Sequence, residues 1–128
     1  MLKPKKEFAA MLKAKIVEIG PEAISADDPL LILFDETASS QLRHVSVVQR
    51  FISPNEQHFS LKTGGQIKID EQVYEVAYVG FLVADNMEMI GHATLFFEEV
   101  PEQPQHNGIY LKPYQIPKLH VGSIISYE

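Results

Sequence analysis

Gln66-Ile67-Lys68-Ile69-Asp70-Glu71-Gln72-Val73-Tyr74-Glu75-Val76-Ala77-Tyr78-Val79 is the stretch that decides the fold. Ile67 and Ile69 alternate with Gln66 and Lys68, the period-two repeat of a strand with one dry face. Val73–Val79 answers this run after the polar link Asp70-Glu71-Gln72, so the pair reads as a β-hairpin. The same period recurs along the chain. Ala14, Ile16 and Ile19 lie in a short strand-like run. Asp27-Asp28-Pro29 is a turn signal before Leu30-Leu31-Ile32-Leu33-Phe34, a continuous apolar run that predicts a strand buried on both faces. Arg43–Ile52 sets Val45 and Val47 against His44 and Ser46 and reads as a strand. Ala93, Leu95 and Phe97 form another alternating face, and Gly108–Lys112 and Ser123–Tyr127 supply two more strands.

Helical signal is thin. Lys5–Leu12 carries Phe8, Met11 and Leu12 at i, i+3 and i+4. Ala84–Ile90 holds room for one helical turn with Asp85 as its N-cap. About seven or eight short strands separated by turns predict an all-β chain, a small single-domain barrel or sandwich with little helix. The organisation expected is a lysine-rich leader over 1–12 and one β domain over 13–128. Pro101–Gly108 and Pro113–Pro117 read as loops inside that domain.

With 128 residues the chain can bury a sizeable core without staples. It has no cysteine, which excludes disulfides, thiolate catalysis and cysteine-based zinc sites. The net charge of -6 gives no basic footprint for nucleic acid. Lys3, Lys5, Lys6, Lys13 and Lys15 read as a solvated leader rather than as a membrane contact. No apolar run reaches the ~20 residues of a membrane span, and no secretory leader is read at the N-terminus, so a soluble cytoplasmic protein is expected.

The chemistry rests on five histidines. His92 follows a glycine and opens an alternating strand; it is either a satisfied structural residue or a nucleophile with one ring nitrogen pinned and the other exposed. His44 reads as a polar residue on the wet face of its strand. His58 reads as a surface residue beginning a short strand, His106 as solvated in its loop, and His120 as a turn residue. No spacing matches a helical zinc motif, so no metal is expected. Asp35-Glu36 and Glu98-Glu99 read as adjacent carboxylates on β segments, where neighbours point to opposite faces, so neither pair makes an acid–base dyad. Ser39-Ser40 lacks a nucleophile elbow, and Gly64-Gly65 is a turn rather than a phosphate cradle.

The order of the segments carries a resemblance. Ile16-Val17-Glu18-Ile19-Gly20, Leu31-Ile32-Leu33-Phe34, Tyr74–Gly80 with Asp85-Asn86 and Gly91-His92-Ala93-Thr94-Leu95-Phe96-Phe97, and Val121-Gly122-Ser123-Ile124 with Tyr127-Glu128 follow one another as in a known family. The chain resembles the glucitol/sorbitol-specific enzyme IIA component of the phosphoenolpyruvate-dependent phosphotransferase system. The resemblance implies a small β-barrel and a phosphocarrier. A histidine would take a phosphoryl group from the carrier protein HPr and pass it to the cysteine of a IIB domain in sugar-alcohol transport. Such a transfer needs mainly in-line positioning and calls for no metal or cofactor. It also calls for a modest apolar docking patch ringed by polar groups.

The chain departs from the family at the acceptor. Members carry that histidine late in the third strand, and an ungapped count from Leu31–Phe34 places Gln49 there. Glutamine carries no phosphoryl group. His44 is five residues away, an odd offset that puts it on the opposite face of a regular strand unless a bulge intervenes. His92 matches a family motif directly, as acceptor or as its hydrogen-bonding support. Two classes follow: a phosphocarrier using His92 or His44, or a non-phosphorylated IIA-like binding or regulatory module. A barrel for an unrelated ligand is a weaker third.

Overall fold

Among the described residues eight strands close on themselves and leave no free sheet edge, which removes the template for strand-to-strand aggregation. The computed structural model describes residues 12–52 and 58–128. Its elements are β1 (Leu12–Ile19), β2 (Leu30–Phe34), α1 (Ser40–His44), β3 (Val47–Phe51), β4 (Gln66–Ile69), β5 (Gln72–Val79), α2 (Val83–Ile90), β6 (Ala93–Phe96), β7 (Gly108–Lys112) and β8 (Ile124–Tyr127). Around the barrel the order is β1-β3-β2-β6-β7-β5-β4-β8. β2 with β3 and β6 with β7 run parallel, and the remaining neighbours are antiparallel. Parallel neighbours need a crossover rather than a tight turn. The 35–46 segment with α1 and the 97–107 loop supply the two crossovers.

Period two fills the interior. Ala14 and Ile16, Leu31 and Leu33, Ile67 and Ile69, Tyr74 and Val76, Ala93 and Leu95, Ile109 and Leu111, Ile125 and Tyr127 all point inward and are buried. The all-β barrel expected from the sequence is the observed fold. The hairpin is also observed, with Asp70 and Glu71 as its link and Gln72 already paired with Ile69. Asp70 takes φ 55, the left-handed conformation that Asp tolerates better than most residues.

Four local expectations are corrected. The 43–52 segment is not one strand. Ser39 caps α1 by accepting a hydrogen bond from the Leu42 amide, and Arg43 ties the turn to Glu18 and to the Ala38 carbonyl. The polar half of the segment therefore coils, and only the half beginning at Val47 extends. β2 is not buried on both faces: Leu30, Ile32 and Phe34 are only half-buried, because a single-walled barrel has no second layer over them. α2 is a full eight residues, and Asp85 lies in its first turn while Leu82 is the N-cap without a side-chain bond. A carboxylate there still complements the helix dipole. Glu98-Glu99 and Asp35-Glu36 follow the ends of β6 and β2, so they are loop residues rather than strand neighbours. The helix expected over Lys5–Leu12 lies outside the described residues, apart from Leu12, which opens β1.

α2 joins β5 to β6 across one end of the barrel and inserts Val83 and Met87 into the core. Gly91 ends it in the left-handed conformation, φ 62, and the Gly91 and His92 amides return to the Met87 and Asn86 carbonyls. A Cβ at Gly91 would lie 2.7 Å from the Asp35 side chain, so only glycine allows the chain to turn here against the end of β2.

Candidate functional site

The site grows from this turn. Asp35 donates its amide to the Ile90 carbonyl at 2.9 Å, which locks the end of β2 to the end of α2. The next register contact pairs Leu33 with Ala93. His92 therefore enters β6 beside the last residues of β2. Its Nδ1 lies 3.0 Å from the Leu33 carbonyl oxygen. The ring stacks on Phe34, centroids 4.2 Å apart and planes at 19°. On the other edge Nε2 lies 3.0 Å from the Asn107 side-chain amide nitrogen. A carbonyl only accepts, so the proton sits on Nδ1 in the neutral ring, and Nε2 presents its lone pair. His92 is half-buried.

Asn107 comes from the loop before β7, and that loop is closely held. The Asn107 carbonyl accepts from the Thr94 amide, the His106 carbonyl accepts from the Leu82 amide, and the Gly80 amide donates to Gly108. A Cβ at Gly80 would approach the His106 carbonyl oxygen to 2.2 Å, so the backbones meet there only because residue 80 is glycine. The two glycines that bracket α2 thus fix the two sides of the His92 ring. Sequence reading singled out Gly80, Gly91 and His92 but passed over Asn107. The Asn107-Gly108 dipeptide immediately before a strand was the available signal.

Gln49 sits one residue away from this ring through Gly91, in a different setting. It faces the barrel interior between Val47 and Phe51 and is fully buried. Its amide donates to the Gly91 carbonyl at 3.0 Å, and the Tyr127 hydroxyl donates to its Oε1 at 2.6 Å. Met87 Sδ lies 3.5 Å from the same amide. Burial holds the Tyr127 phenol protonated far above its ordinary range, with the Gln49 hydrogen bond opposing that shift.

The other candidates stand apart. His44 ends α1, not a strand, so the argument about opposite strand faces does not apply to it. Its side chain is exposed and its Nε2 is 3.5 Å from a Glu22 carboxylate oxygen. His58 is exposed beside Glu88 and outside any strand. His106 is exposed and packs on Phe81 at 4.5 Å. His120 lies 3.8 Å from Asp70. Asp70 accepts hydrogen bonds from the Ser123 hydroxyl and the Ile124 amide, which hold its carboxyl below the ordinary range. Glu36 is likewise lowered, by its hydrogen bond from Arg50. Among the described residues no three His, Asp or Glu side chains gather as metal ligands, and no helix is long and apolar enough to cross a membrane.

Comparison with known proteins agrees with this architecture. The chain is 28% identical over 122 residues to the glucitol/sorbitol-specific EIIA component of the phosphotransferase system of Escherichia coli, covering 94% of this chain and 97% of the relative. It is 27% identical over 122 residues to the corresponding Shigella flexneri protein, with the same coverage. The crystal structure of a phosphotransferase-system IIA component from Enterococcus faecalis superposes with a TM-score of 0.84 at 36% identity, covering 90% of this chain and 98% of that one. The model of the family described as the glucitol/sorbitol-specific IIA component of the phosphotransferase system matches residues 11–126. The match spans nearly the whole barrel, and the chain belongs to that glucitol/sorbitol-specific IIA family.

Proposed function

We propose that this protein is a cytoplasmic phosphocarrier of a sugar-alcohol phosphotransferase system, with His92 Nε2 as acceptor. HPr would supply the phosphoryl group and a IIB component would receive it. The observation that carries the reading is the bond between His92 Nδ1 and the Leu33 carbonyl, which leaves the Nε2 lone pair as the nucleophile on a half-buried ring. In the transfer, a bond forms between Nε2 and phosphorus as the bond from phosphorus to the donor's imidazole nitrogen breaks. The electron pair of the broken bond stays on the donor ring, which leaves as neutral imidazole. The Nδ1 proton of His92 stays in place, and the Leu33 carbonyl faces the positive charge that the ring acquires. Positioning does most of the work in such a loose transition state. Phe81 and Met89, 71% and 75% exposed, give α2 and its lead-in an apolar surface on which a partner can dock.

His44 is the weaker acceptor, because the Glu22 carboxylate beside its Nε2 repels an incoming phosphoryl dianion. A second reading is favoured by Gln49. The position to which an ungapped count assigns the family's acceptor holds a residue that cannot be phosphorylated and whose amide is already bonded on both sides, which suits a binding or regulatory module that keeps the barrel alone.

The test is to incubate the protein with phosphoenolpyruvate, enzyme I and HPr and to follow an acid-labile mass gain of one phosphoryl group. The gain is expected in the wild type and in His44→Ala, and not in His92→Ala. Gain that survives His92→Ala and vanishes in His44→Ala overturns the assignment. A wild type that takes up no phosphoryl group supports the module.

A further inference from the structure

We propose that Asn107 is the positioning residue of the His92 site: its side-chain amide holds the ring with Nε2 unprotonated, then passes the same N–H to a phosphoryl oxygen as the N–P bond forms. The inference rests on the phosphocarrier reading for its second half, while the first half stands on the resting geometry alone. Asn107 Nδ2 is 3.0 Å from Nε2, and an amide N–H at that place can only donate. The opposite nitrogen is bonded to a carbonyl, which can only accept. The ring is thus clamped between one acceptor and one donor, and both fix the same tautomer.

The backbone that carries Asn107 is fixed on both sides. Its own carbonyl is bonded to Thr94 of β6, and its neighbours are bonded to Leu82 and Gly80, so the amide is carried by backbone tied to both flanking elements. The lone pair that accepts from Asn107 is the one that takes phosphorus, so the Asn107 side chain rotates aside on its fixed backbone as the phosphoryl group arrives, and its N–H then meets a phosphoryl oxygen. Only the side-chain torsions of Asn107 change, and the backbone that places the donor stays where its own hydrogen bonds hold it. A preorganised donor at the site of developing charge is the device by which such sites gain rate. No proton is transferred by Asn107 and no bond of the amide is broken.

Asn107→Asp keeps the shape and reverses the hydrogen-bonding role, since a carboxylate only accepts. Asn107→Ala removes the group. Two measurements read the outcome. Two-bond proton–nitrogen correlation spectra of labelled protein report which His92 nitrogen carries hydrogen, a signal that general destabilisation does not move. Rates of phosphoryl uptake from phosphorylated HPr report the transfer. Wild type is expected with hydrogen on Nδ1 alone; Asn107→Asp is expected to gain hydrogen on Nε2 at neutral pH. Uptake is expected to fall by roughly a hundredfold in both variants, the loss typical of one removed donor. An Asn107→Asp spectrum that matches wild type overturns the clamp, and wild-type uptake by Asn107→Ala overturns the hand-over. If wild type takes up no phosphoryl group, the phosphocarrier reading and the hand-over fall together, and the Asn107→Asp spectrum still decides the clamp by itself.

Discussion

Gln49 and His92 meet the same short piece of backbone at Gly91 and live in opposite surroundings. Gln49 is sealed among barrel side chains, with its amide and its carbonyl oxygen both engaged. His92 has one nitrogen anchored on backbone and the other hydrogen-bonded to the Asn107 side-chain amide. A saturated polar group inside a core holds the barrel together, because breaking either bond leaves an orphan in a dry place. A half-buried ring whose second nitrogen meets a side chain rather than backbone is arranged for exchange with a visitor.

The comparison breaks most directly by substitution at the ring. His92→Ala is expected to abolish phosphoryl uptake, whereas Gln49→Met, which keeps the volume, is expected to retain it; mass spectra of both variants after exposure to phosphorylated HPr check this. If Gln49→Met loses uptake and His92→Ala keeps it, the roles of the two positions are reversed.

Gly91→Ala attacks the joint that the two residues share. The added carbon meets Asp35 at 2.7 Å in a left-handed conformation, φ 62. A loss of about 2–3 kcal/mol in denaturant unfolding is expected, combining the left-handed penalty with overpacking. Uptake should fall with it, since the turn at residue 91 sets the His92 ring between the Leu33 carbonyl and Asn107.

Tyr127→Phe separates the two regions. It strips the donor from Gln49 Oε1 and is expected to cost about 1–3 kcal/mol, the penalty of a buried unpaired acceptor. The double variant Tyr127→Phe with Gln49→Leu should recover part of that loss, and phosphoryl uptake by Tyr127→Phe should remain near wild type. Uptake that falls in step with stability would couple the sealed site to the open one.

The smallest effect is expected at the β4–β5 turn, remote in topology from both. The Asp70 carboxyl is held low by the Ser123 hydroxyl and then the Ile124 amide. A lowered folded-state value means stability that is present above the unfolded carboxylate value of about 3.9 and lost as pH falls through the folded one. Asp70→Asn should therefore be less stable than wild type at neutral pH, and the gap should close on acidification below about pH 4. Chemical unfolding at several pH values checks it. A gap that widens in acid contradicts the assignment.

Much of the fold was legible because a barrel wall writes itself as period two. Ile67 and Ile69, Tyr74 and Val76, and Leu31 and Leu33 are where alternation puts them. The legibility failed where polarity and local hydrogen bonds override period. His44 and Ser46 alternate with Val45 and Val47 as a strand would, yet Ser39 offers a cap and Arg43 has Glu18 to reach, so the segment coils. Reading the site had a similar boundary. His92 was visible from its glycine and its motif, because both lie in one stretch of sequence. Asn107 was not visible, because its role comes from a parallel neighbour strand and from Gly80, which lets the backbone of the 105–107 loop approach. Nor does a count along β3 reveal that Gln49 is bonded to Tyr127 at the far end of the chain.

The most direct measurement is to locate the phosphoryl group on the intact chain. Wild-type protein phosphorylated through enzyme I and HPr, fragmented under conditions that spare the N–P bond, is expected to carry the added mass on the fragment containing His92 and on no other histidine. Added mass confined to a fragment with His44, or no added mass on any fragment, would contradict the account.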